Sequence, residues 1–315
     1  MKVLCVGMMV CDVLISPVPS EIMKKDCVKI NQPVLAGGGD ALNVAISLSK
    51  LGLKVSIAGR VGNDTNGRFL LSECEKNGIE HANVIIDPTY STATSFALID
   101  TEGERHFLSE NSIFSKIVFE DINQEKIQSA DFVYFGSAMA LPSMNDDGIS
   151  RLFHCAHEAN RMTIMDAAID ECNRDCNWLG RLSPALSETD IFFPSLEEAR
   201  LISQVENPKE IAEVFKDFGL KVFGIKLGNE GCFITDFQES RILPGIKNIP
   251  VLDTTGAGDS FIAGLICALS HNYDVFDAAA FANAVAALNI GAVGGTAGIP
   301  DFKTAQEFFE RSQKR

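Results

Sequence analysis

The sequence is short of positive charge. Its 315 residues include 27 Lys and Arg against 42 Asp and Glu, which gives a formal net charge of −15. Nucleic acids and anionic membrane surfaces are bound mainly through clustered basic residues, so this balance argues against either as the principal partner. An anionic ligand would therefore have to be held by local dipoles, such as backbone N–H groups, rather than by the field of the whole protein.

Long apolar runs and paired cysteines are also missing. Apolar stretches such as residues 3–11 fall well short of the roughly 18 residues of a membrane span, and this one runs into Asp12 with no signal-peptide cleavage site. The nine cysteines are an odd number and contain no Cys-x2-Cys pair, which is typical of reduced thiols rather than of a disulfide framework or a zinc site. We therefore expect a cytoplasmic protein.

No low-complexity segment, charge block or repeat interrupts the chain, and 46% apolar with 22% charged residues is an ordinary globular composition. Short apolar strands instead alternate with amphipathic helices. The predicted strands are residues 2–7, 54–58, 84–86, 132–135, 162–165, 191–193 and 222–226, and the predicted helices include 41–51, 66–76, 260–270 and the alanine-rich 275–288. Such alternation predicts a three-layer α/β/α fold, with a mainly parallel sheet covered by helices on both faces.

Two β-like stretches depart from that alternation. Residues 13–15 and 28–35 are separated by Pro17 and Pro19, and residues 92–108 alternate around a Glu102-Gly103 turn in the pattern of a hairpin. These stretches predict a second, small sheet. We expect a β lid of residues 12–36 and 92–110 on a large α/β domain of residues 1–11, 37–91 and 111–315.

The most informative segment is DTTGAGDSF, residues 253–261, which leads directly into an apolar helix. Gly256 and Gly258 permit a tight turn that presents backbone N–H groups, and the helix N-terminus adds a partial positive charge. Asp259 lies in the same turn, where its carboxylate could take a proton from an attacking hydroxyl while the amides of Gly256, Ala257 and Gly258 hold a phosphoryl group. The pattern predicts phosphoryl transfer with Asp259 as the base.

This segment resembles the C-terminal signature of the ribokinase-like (PfkB) carbohydrate kinases without a mismatch. The segment GGGDALNVA at residues 37–45, together with GRVGND at residues 59–64 and Gly67, is similar to the family's N-terminal pattern. The resemblance covers nearly the whole chain. It implies a ribokinase-like fold and a kinase that uses ATP and Mg²⁺ to phosphorylate a hydroxyl of a small carbohydrate.

The resemblance also implies a sugar site near the N-terminal motif. In the family a glycine pair and an asparagine contact sugar hydroxyls, and here these are Gly38, Gly39 and Asn43. Asp12 matches the family aspartate that accepts hydrogen bonds from a diol. In the predicted hairpin, Arg105 is a candidate to reach over the sugar or over a carboxylated substrate.

A nucleotide site is implied farther along the chain. Lys226, Gly228 and Gly231 match the region where the family receives the nucleotide phosphates and ribose. Asn283, on the alanine-rich helix, falls where the family meets adenine.

Two ion sites complete the resemblance. Glu198 matches the glutamate of an Asn-x-x-Glu segment that helps to place Mg²⁺ through water, although Ser195 here replaces the asparagine. Asp253 and Thr255, with carbonyls of a loop that contains Gly295, match a monovalent-cation site that would take K⁺. The serine puts in doubt only a contact that needs an amide at position 195.

Other nucleotide motifs are missing. Residues 62–67 have the glycine spacing of a P-loop, but Arg68 and Phe69 stand where Lys and Ser or Thr are required, and no Gly-x-Gly-x-x-Gly follows the first strand. A nucleoside kinase of the same family is an alternative, as is a non-catalytic sugar-binding sensor, against which the intact Asp259 argues. The sugar and its reactive hydroxyl stay open. Family members often pair through their lids, so a homodimer is a further expectation.

Overall fold

The computed structural model describes residues 1–100, 105–169 and 174–313. In chain order the strands of this part are β1 (Lys2–Val6), β2 (Val10–Ile15), β3 (Val34–Gly38), β4 (Lys54–Gly62), β5 (Glu80–Asp87), β6 (Thr94–Ile99), β7 (Arg105–Glu110), β8 (Phe132–Ala138), β9 (Met162–Ala167), β10 (Ile191–Phe192), β11 (Val222–Lys226), β12 (Cys232–Thr235) and β13 (Ser240–Leu243). The helices are α1 (Asp40–Lys50), α2 (Thr65–Lys76), α3 (Gln124–Ser129), α4 (Gly148–Glu158), α5 (Trp178–Leu186), α6 (Leu196–Ser203), α7 (Pro208–Phe215), α8 (Ala257–Ser270), α9 (Val275–Asn289) and α10 (Phe302–Ser312).

The larger sheet has the strand order β13-β12-β11-β10-β9-β8-β1-β4-β5. The strands from β11 to β5 run parallel to one another, and β12 and β13 add an antiparallel edge. Strand β1 is apolar after Lys2 because it is covered on both sides: Val3 and Cys5 belong to one buried cluster, and Leu4 and Val6 to the other. The predicted parallel sheet with helices on both faces is therefore confirmed.

A separate, smaller sheet has the strand order β3-β2-β6-β7. Strands β6 and β7 form the predicted antiparallel hairpin, although its Glu102-Gly103 turn lies outside the described residues. The prediction of β structure over residues 28–35 was wrong for most of its length, since β3 begins only at Val34. Pro33 immediately precedes β3, and a proline has no N–H to give to a strand ladder.

Helices α8 and α9 pack at very short range. A Cβ placed on Gly264 of α8 would lie 2.9 Å from the Cα of Ala282 in α9. The alanine-rich surface of α9 therefore faces a helix backbone. Helix α8 begins at Ala257 rather than at residue 260, so Asp259 lies in its first turn. No helix of the described residues is long and apolar enough to cross a membrane.

Candidate active site

The charged residues of the two sequence motifs meet at the carboxyl ends of the central parallel strands. Open parallel sheets bind ligands at this edge, where the loops and helix N-termini converge. Strand β11 ends at Lys226, β9 ends one residue beyond Asp166, and helices α1 and α8 begin close to Asp40 and Asp259. The site is therefore assembled from segments that are far apart in sequence.

One hydrogen bond joins the N-terminal and C-terminal motifs. The Asn43 Nδ2 donates to the Asp259 Oδ2 across 2.8 Å, although the two residues are 216 positions apart. Asn43 lies on α1 and is 5% exposed, so its amide is held in a fixed orientation. The Asn43 Oδ1 has no hydrogen-bond partner among the described residues. A donor on a bound molecule, such as a sugar hydroxyl, would satisfy it.

The environment of Asp259 makes its carboxylate a better proton acceptor than a free aspartate. Burial raises the pKa of Asp259 above its ordinary value, and the negative charge of Glu198 adds to the rise. The Asn43 hydrogen bond and the positive charge of Lys226 oppose it. A carboxylate with a raised pKa accepts a proton more readily, which suits general-base work.

The glycine turn before α8 is shaped by the loop that follows α9. Gly256 has φ +69°, and a Cβ on it would lie 2.1 Å from the Gly295 carbonyl oxygen, so a larger residue would separate the two loops. Of the three amides predicted to hold a phosphoryl group, that of Ala257 already donates to the Thr254 carbonyl at 3.2 Å. The Gly258 N–H has no backbone acceptor among the described residues and is the better-placed donor.

Lys226 supplies the positive charge of the site. Its ammonium lies 2.7 Å and 2.5 Å from the two carboxylate oxygens of Asp166, and its Nζ would be 3.4 Å from a Cβ on Gly258. Burial raises the pKa of Asp166, and Lys226 opposes that rise. The sequence predicted Lys226 but not Asp166, because a single aspartate at the end of a strand has no motif spacing. The pair fixes the lysine against the glycine turn.

Ser195 and Glu198 form the capping box of α6. The Ser195 N–H donates to the Glu198 Oε2 at 2.6 Å, and the Glu198 N–H donates to the Ser195 Oγ at 3.3 Å. The serine that replaces the family asparagine therefore takes over the role of N-cap. Glu198 is close enough to Asp259 and Lys226 to affect the pKa of each.

The predicted sugar residues lie between the small sheet and α1. A Cβ on Gly38 would be 2.0 Å from the Asp12 Oδ2, so the carboxylate packs directly against the glycine backbone. Burial raises the pKa of Asp12 to about 6. Asp12 and Gly39 both line a cavity of about 210 Å³. The backbone of Arg105 begins β7, and its side chain lies outside the described part of the chain.

Sequence reasoning left Asp40 without a role. Its Oδ1 accepts hydrogen bonds from the Met8 N–H at 3.2 Å and from the Ser137 Oγ at 2.6 Å, and burial raises its pKa to about 7. The hydroxyl of Tyr134 is fully buried without a hydrogen-bond partner among the described residues. Burial raises the pKa of Tyr134, and the negative charges of Asp166, Asp40 and Asp259 add to the rise. The site thus holds two carboxyl groups, those of Asp40 and Asp166, to which sequence reasoning gave no role.

The predicted nucleotide residues lie together at the antiparallel edge. Gly228 and Gly231 bracket the turn between β11 and β12, and Gly231 packs against the backbone of residues 243–245. Asn283 reaches the same segment, where its Nδ2 donates to the Leu243 carbonyl at 3.3 Å. In this position the Asn283 amide holds the backbone of Leu243, which forms part of the wall of this region.

The predicted cation residues surround a tightly bonded loop. The Asp253 carboxylate accepts from the Thr255 N–H and from the Gly294 N–H, each at 2.9 Å. Asn289, which the sequence did not single out, donates to the Gly295 carbonyl at 2.9 Å and to the Thr255 carbonyl at 3.3 Å. Asn289 is 0% exposed at the end of α9, and its burial is known only from the fold.

Comparisons with known proteins agree with the resemblance. The model of the pfkB family carbohydrate kinases matches residues 1–301. An ATP-dependent ribose-1-phosphate kinase of Halopiger xanaduensis is 30% identical over 259 residues, 82% of either chain. The 2-dehydro-3-deoxygluconokinase of Bacillus subtilis is 27% identical over 83% of each chain. A fructokinase double mutant from Vibrio cholerae O395, solved with fructose, ADP and potassium ion, has a TM-score of 0.80 over 98% of each chain, and at 22% identity it supports the fold alone.

Proposed function

The chain belongs to the pfkB family of carbohydrate kinases and is an ATP-dependent phosphotransferase, and from that premise we propose that Asp259 is its catalytic base. The observation that carries this proposal is the hydrogen bond of 2.8 Å between Asn43 and Asp259. This bond places Asn43, from the motif at residues 37–45, next to Asp259, which follows the glycine turn at residues 256–258. A hydroxyl that binds Asn43 would lie within reach of the Asp259 carboxylate.

The reaction follows from these positions. Asp259 takes the proton of the acceptor hydroxyl as its oxygen attacks the γ-phosphorus of ATP in line with the departing ADP. The Gly258 N–H at the start of α8 and the ammonium of Lys226 stabilise the negative charge of the transferring group. Because Lys226 is held by Asp166 before substrate arrives, this stabilisation needs little reorganisation.

We assign the sugar to the cavity between the small sheet and the large domain. Asp12 accepts hydrogen bonds from a pair of hydroxyls, and the carbonyl oxygen of the Asn43 side chain accepts one more. The backbone at Gly38 and Gly39 lets the sugar approach closely. We also propose that Arg105 contacts the sugar, and this proposal rests only on its position in the hairpin.

The nucleotide and its ions are assigned to the other side of the glycine turn. Among the described residues no atom lies within 4 Å of the place where a Cβ on Gly228 would be, so this turn is open to a ligand. ATP phosphates and ribose would lie along Lys226, Gly228 and Gly231, with adenine toward Asn283. When bound, Mg²⁺ would neutralise the phosphate charge, and Glu198 would hold it through water. The loop with Asp253, Thr255 and Gly295 would take K⁺.

The small sheet acts in this proposal as a lid. Its strands β2, β6 and β7 contribute residues to the cavity wall, so closure over the sugar would exclude water that competes for the phosphoryl group. The lid also carries exposed apolar side chains, among them Phe107 at 60% and Leu108 at 61% exposure, which we assign to a homodimer interface. The described cysteines are all free, which suits the reducing cytoplasm that we propose as its location.

The test is a panel of pentoses, hexoses, sugar acids and nucleosides, incubated with ATP, Mg²⁺ and K⁺. ADP release is recorded, and the new phosphate ester is detected by phosphorus NMR. We expect ADP release that depends on a sugar and yields one sugar phosphate. Turnover only with nucleosides would contradict the assignment of the substrate class, and binding of sugars without any turnover would favour the sensor.

A further inference from the structure

The small sheet presents a row of polar side chains to the cavity. Asp12 on β2 is paired with Ser95 on β6, and Ser95 is paired with Ser109 on β7. Residues directly opposite each other on neighbouring strands point to the same face of a sheet. All three residues line the same cavity of about 210 Å³. Two hydroxyl groups therefore stand beside the carboxylate that the sequence had already indicated.

The rest of the cavity wall has polar and apolar residues, without a positive side chain among the described lining residues. Its other polar residues are Thr94, Glu110 and Asn111. The Glu110 carboxylate is held by the Ser112 Oγ at 2.5 Å and by the Ser112 N–H at 3.1 Å, so it has a fixed position at the end of β7. The remaining lining residues are Val10, Gly39, Ala93 and Phe114.

The wall has negative charge and no positive side chain among the described lining residues. Asp12 and Glu110 contribute carboxylates, and Asp40 lies one residue beyond Gly39. Lys226 is bound to Asp166. A phosphate or carboxylate in this cavity would face carboxylates without a cation to neutralise it.

The volume of the cavity also limits the ligand. Pockets for drug-sized ligands usually measure about 300–1,000 Å³, and this cavity is smaller. Phe114 is the only aromatic residue that lines it in the described part of the chain, and it is 7% exposed, so it offers little surface on which a base could stack. A single sugar ring fits these properties better than a nucleoside does.

We propose that Ser95 and Ser109 are substrate-binding residues and that the substrate is an uncharged monosaccharide. This inference rests on the proposed function, because it assumes that the cavity is the acceptor site of a kinase. The serines donate hydrogen bonds to sugar hydroxyls and accept them in return, and Asp12 accepts from a neighbouring pair. Sugar phosphates and sugar acids are rejected because the wall cannot compensate their charge.

The first experiment compares matched neutral and anionic sugars. Values of kcat/KM are measured for ribose against ribose 1-phosphate and ribose 5-phosphate, and for neutral hexoses against 2-dehydro-3-deoxygluconate and gluconate, with adenosine as the nucleoside. We expect the best neutral sugar to exceed every anionic compound by at least about 100-fold. A preference for an anionic sugar or for adenosine that is lost in the Asp259→Asn variant would overturn the inference and leave the kinase assignment intact.

The second experiment tests the serines. Ser95→Ala and Ser109→Ala should each raise KM for the neutral sugar by about 3- to 10-fold, the effect of one lost hydrogen bond. Ser20→Ala, in the exposed connection between β2 and β3, is the matched control and should leave KM unchanged. Ser109→Lys should improve kcat/KM for an anionic sugar relative to its neutral partner by at least about 10-fold. Unchanged KM in both alanine variants would contradict the assigned contacts.

If no sugar of either charge causes ADP release by the folded protein, the proposed function itself fails, and this inference fails with it. That result differs from a preference for anionic sugars, which would show a working kinase with another specificity. The two failures are therefore distinguishable in the same assay.

Discussion

The charge of a single carboxylate depends here on neighbours from several elements. Asp259 on α8 accepts a hydrogen bond from Asn43 on α1. The charges of Lys226, at the end of β11, and of Glu198, on α6, also act on its carboxylate. Burial and Glu198 raise its pKa, whereas Asn43 and Lys226 lower it. The balance leaves the pKa above the ordinary value of a carboxyl group. A carboxylate in this environment accepts a proton more readily than a free aspartate does.

This balance predicts the pH profile of an Asn43→Ala variant. The Asn43 hydrogen bond stabilises the charged form of Asp259, so its removal should raise the pKa of Asp259 further. The base works only when deprotonated, and the acid limb of the kcat profile should therefore move to higher pH. The measurement is kcat from pH 5 to pH 9. Asp277→Asn serves as the control, since it removes an exposed carboxylate in the first turn of α9 without touching this bond. An unmoved acid limb in Asn43→Ala would contradict the account.

At this scale the sequence predicted residues that belong to motifs and missed those that do not. Asp259, Asn43 and Asp12 were singled out because their spacing is shared with a family, and their roles stay predictions. Asp166 and Asn289 were missed, since a lone polar residue has no local pattern and its partner is chosen by the fold. Lys226 was named as a nucleotide residue, but its ion pair with Asp166 depends on the positions of β9 and β11, which lie on either side of β10 in the sheet.

The elements of the site depend on close packing behind it. Helix α8 carries Asp259 at its first turn and is buried along most of its length against α9. The closest approach is at Gly264, where a Cβ would lie 2.9 Å from the Cα of Ala282 and 3.0 Å from the Cβ of Val285. The glycine weakens the helix intrinsically, and the short distance explains its presence.

Larger residues at Gly264 should therefore destabilise the protein in proportion to their size. Gly264→Val is expected to lower the free energy of unfolding by about 1–3 kcal/mol, the usual cost of overpacking a core. Gly264→Ala should lower it less, because the better helix propensity of alanine offsets part of the clash. Urea unfolding measures both. A valine variant as stable as the wild type would show that the two helices are not held at this distance.

Most elements were predictable because buried parallel strands and amphipathic helices have clear patterns. The exception, residues 28–35, shows the limit of such patterns. A few apolar residues near Pro33 resemble a strand, but strand formation needs a partner and an available N–H. Strand β2 provides a partner only for Val34–Gly38.

The whole molecule combines a rigid α/β core with a small sheet whose surface is unusually apolar. Val34, Leu35, Phe107 and Leu108 are each at least 48% exposed on this sheet. Exposed apolar clusters usually mark an interaction surface. These residues lie on β3 and β7, the two edges of the small sheet, with Leu35 and Leu108 on one face and Val34 and Phe107 on the other. A second copy of the chain is the partner that we propose for them.

The proposed dimer predicts the effect of a charge on the lid. Leu108→Lys should convert a dimer to a monomer at the same protein concentration, because it places a charge in the buried interface. Ile242→Lys is the matched control: Ile242 is 64% exposed on β13, at the far edge of the other sheet, and should leave the dimer intact. Light scattering after gel filtration gives the mass of each form. A monomeric wild-type protein would rule out the interface.

The central claim is that Asp259 removes the proton of the acceptor hydroxyl. The most direct measurement is kcat of an Asp259→Asn variant with the best sugar found, together with its affinity for ATP and its unfolding midpoint. We predict a loss of about 10²- to 10⁴-fold in kcat, with ATP affinity and stability close to those of the wild type. Asp277→Asn, an exposed carboxyl in the first turn of α9, should retain full activity. Wild-type kcat in Asp259→Asn would contradict the account.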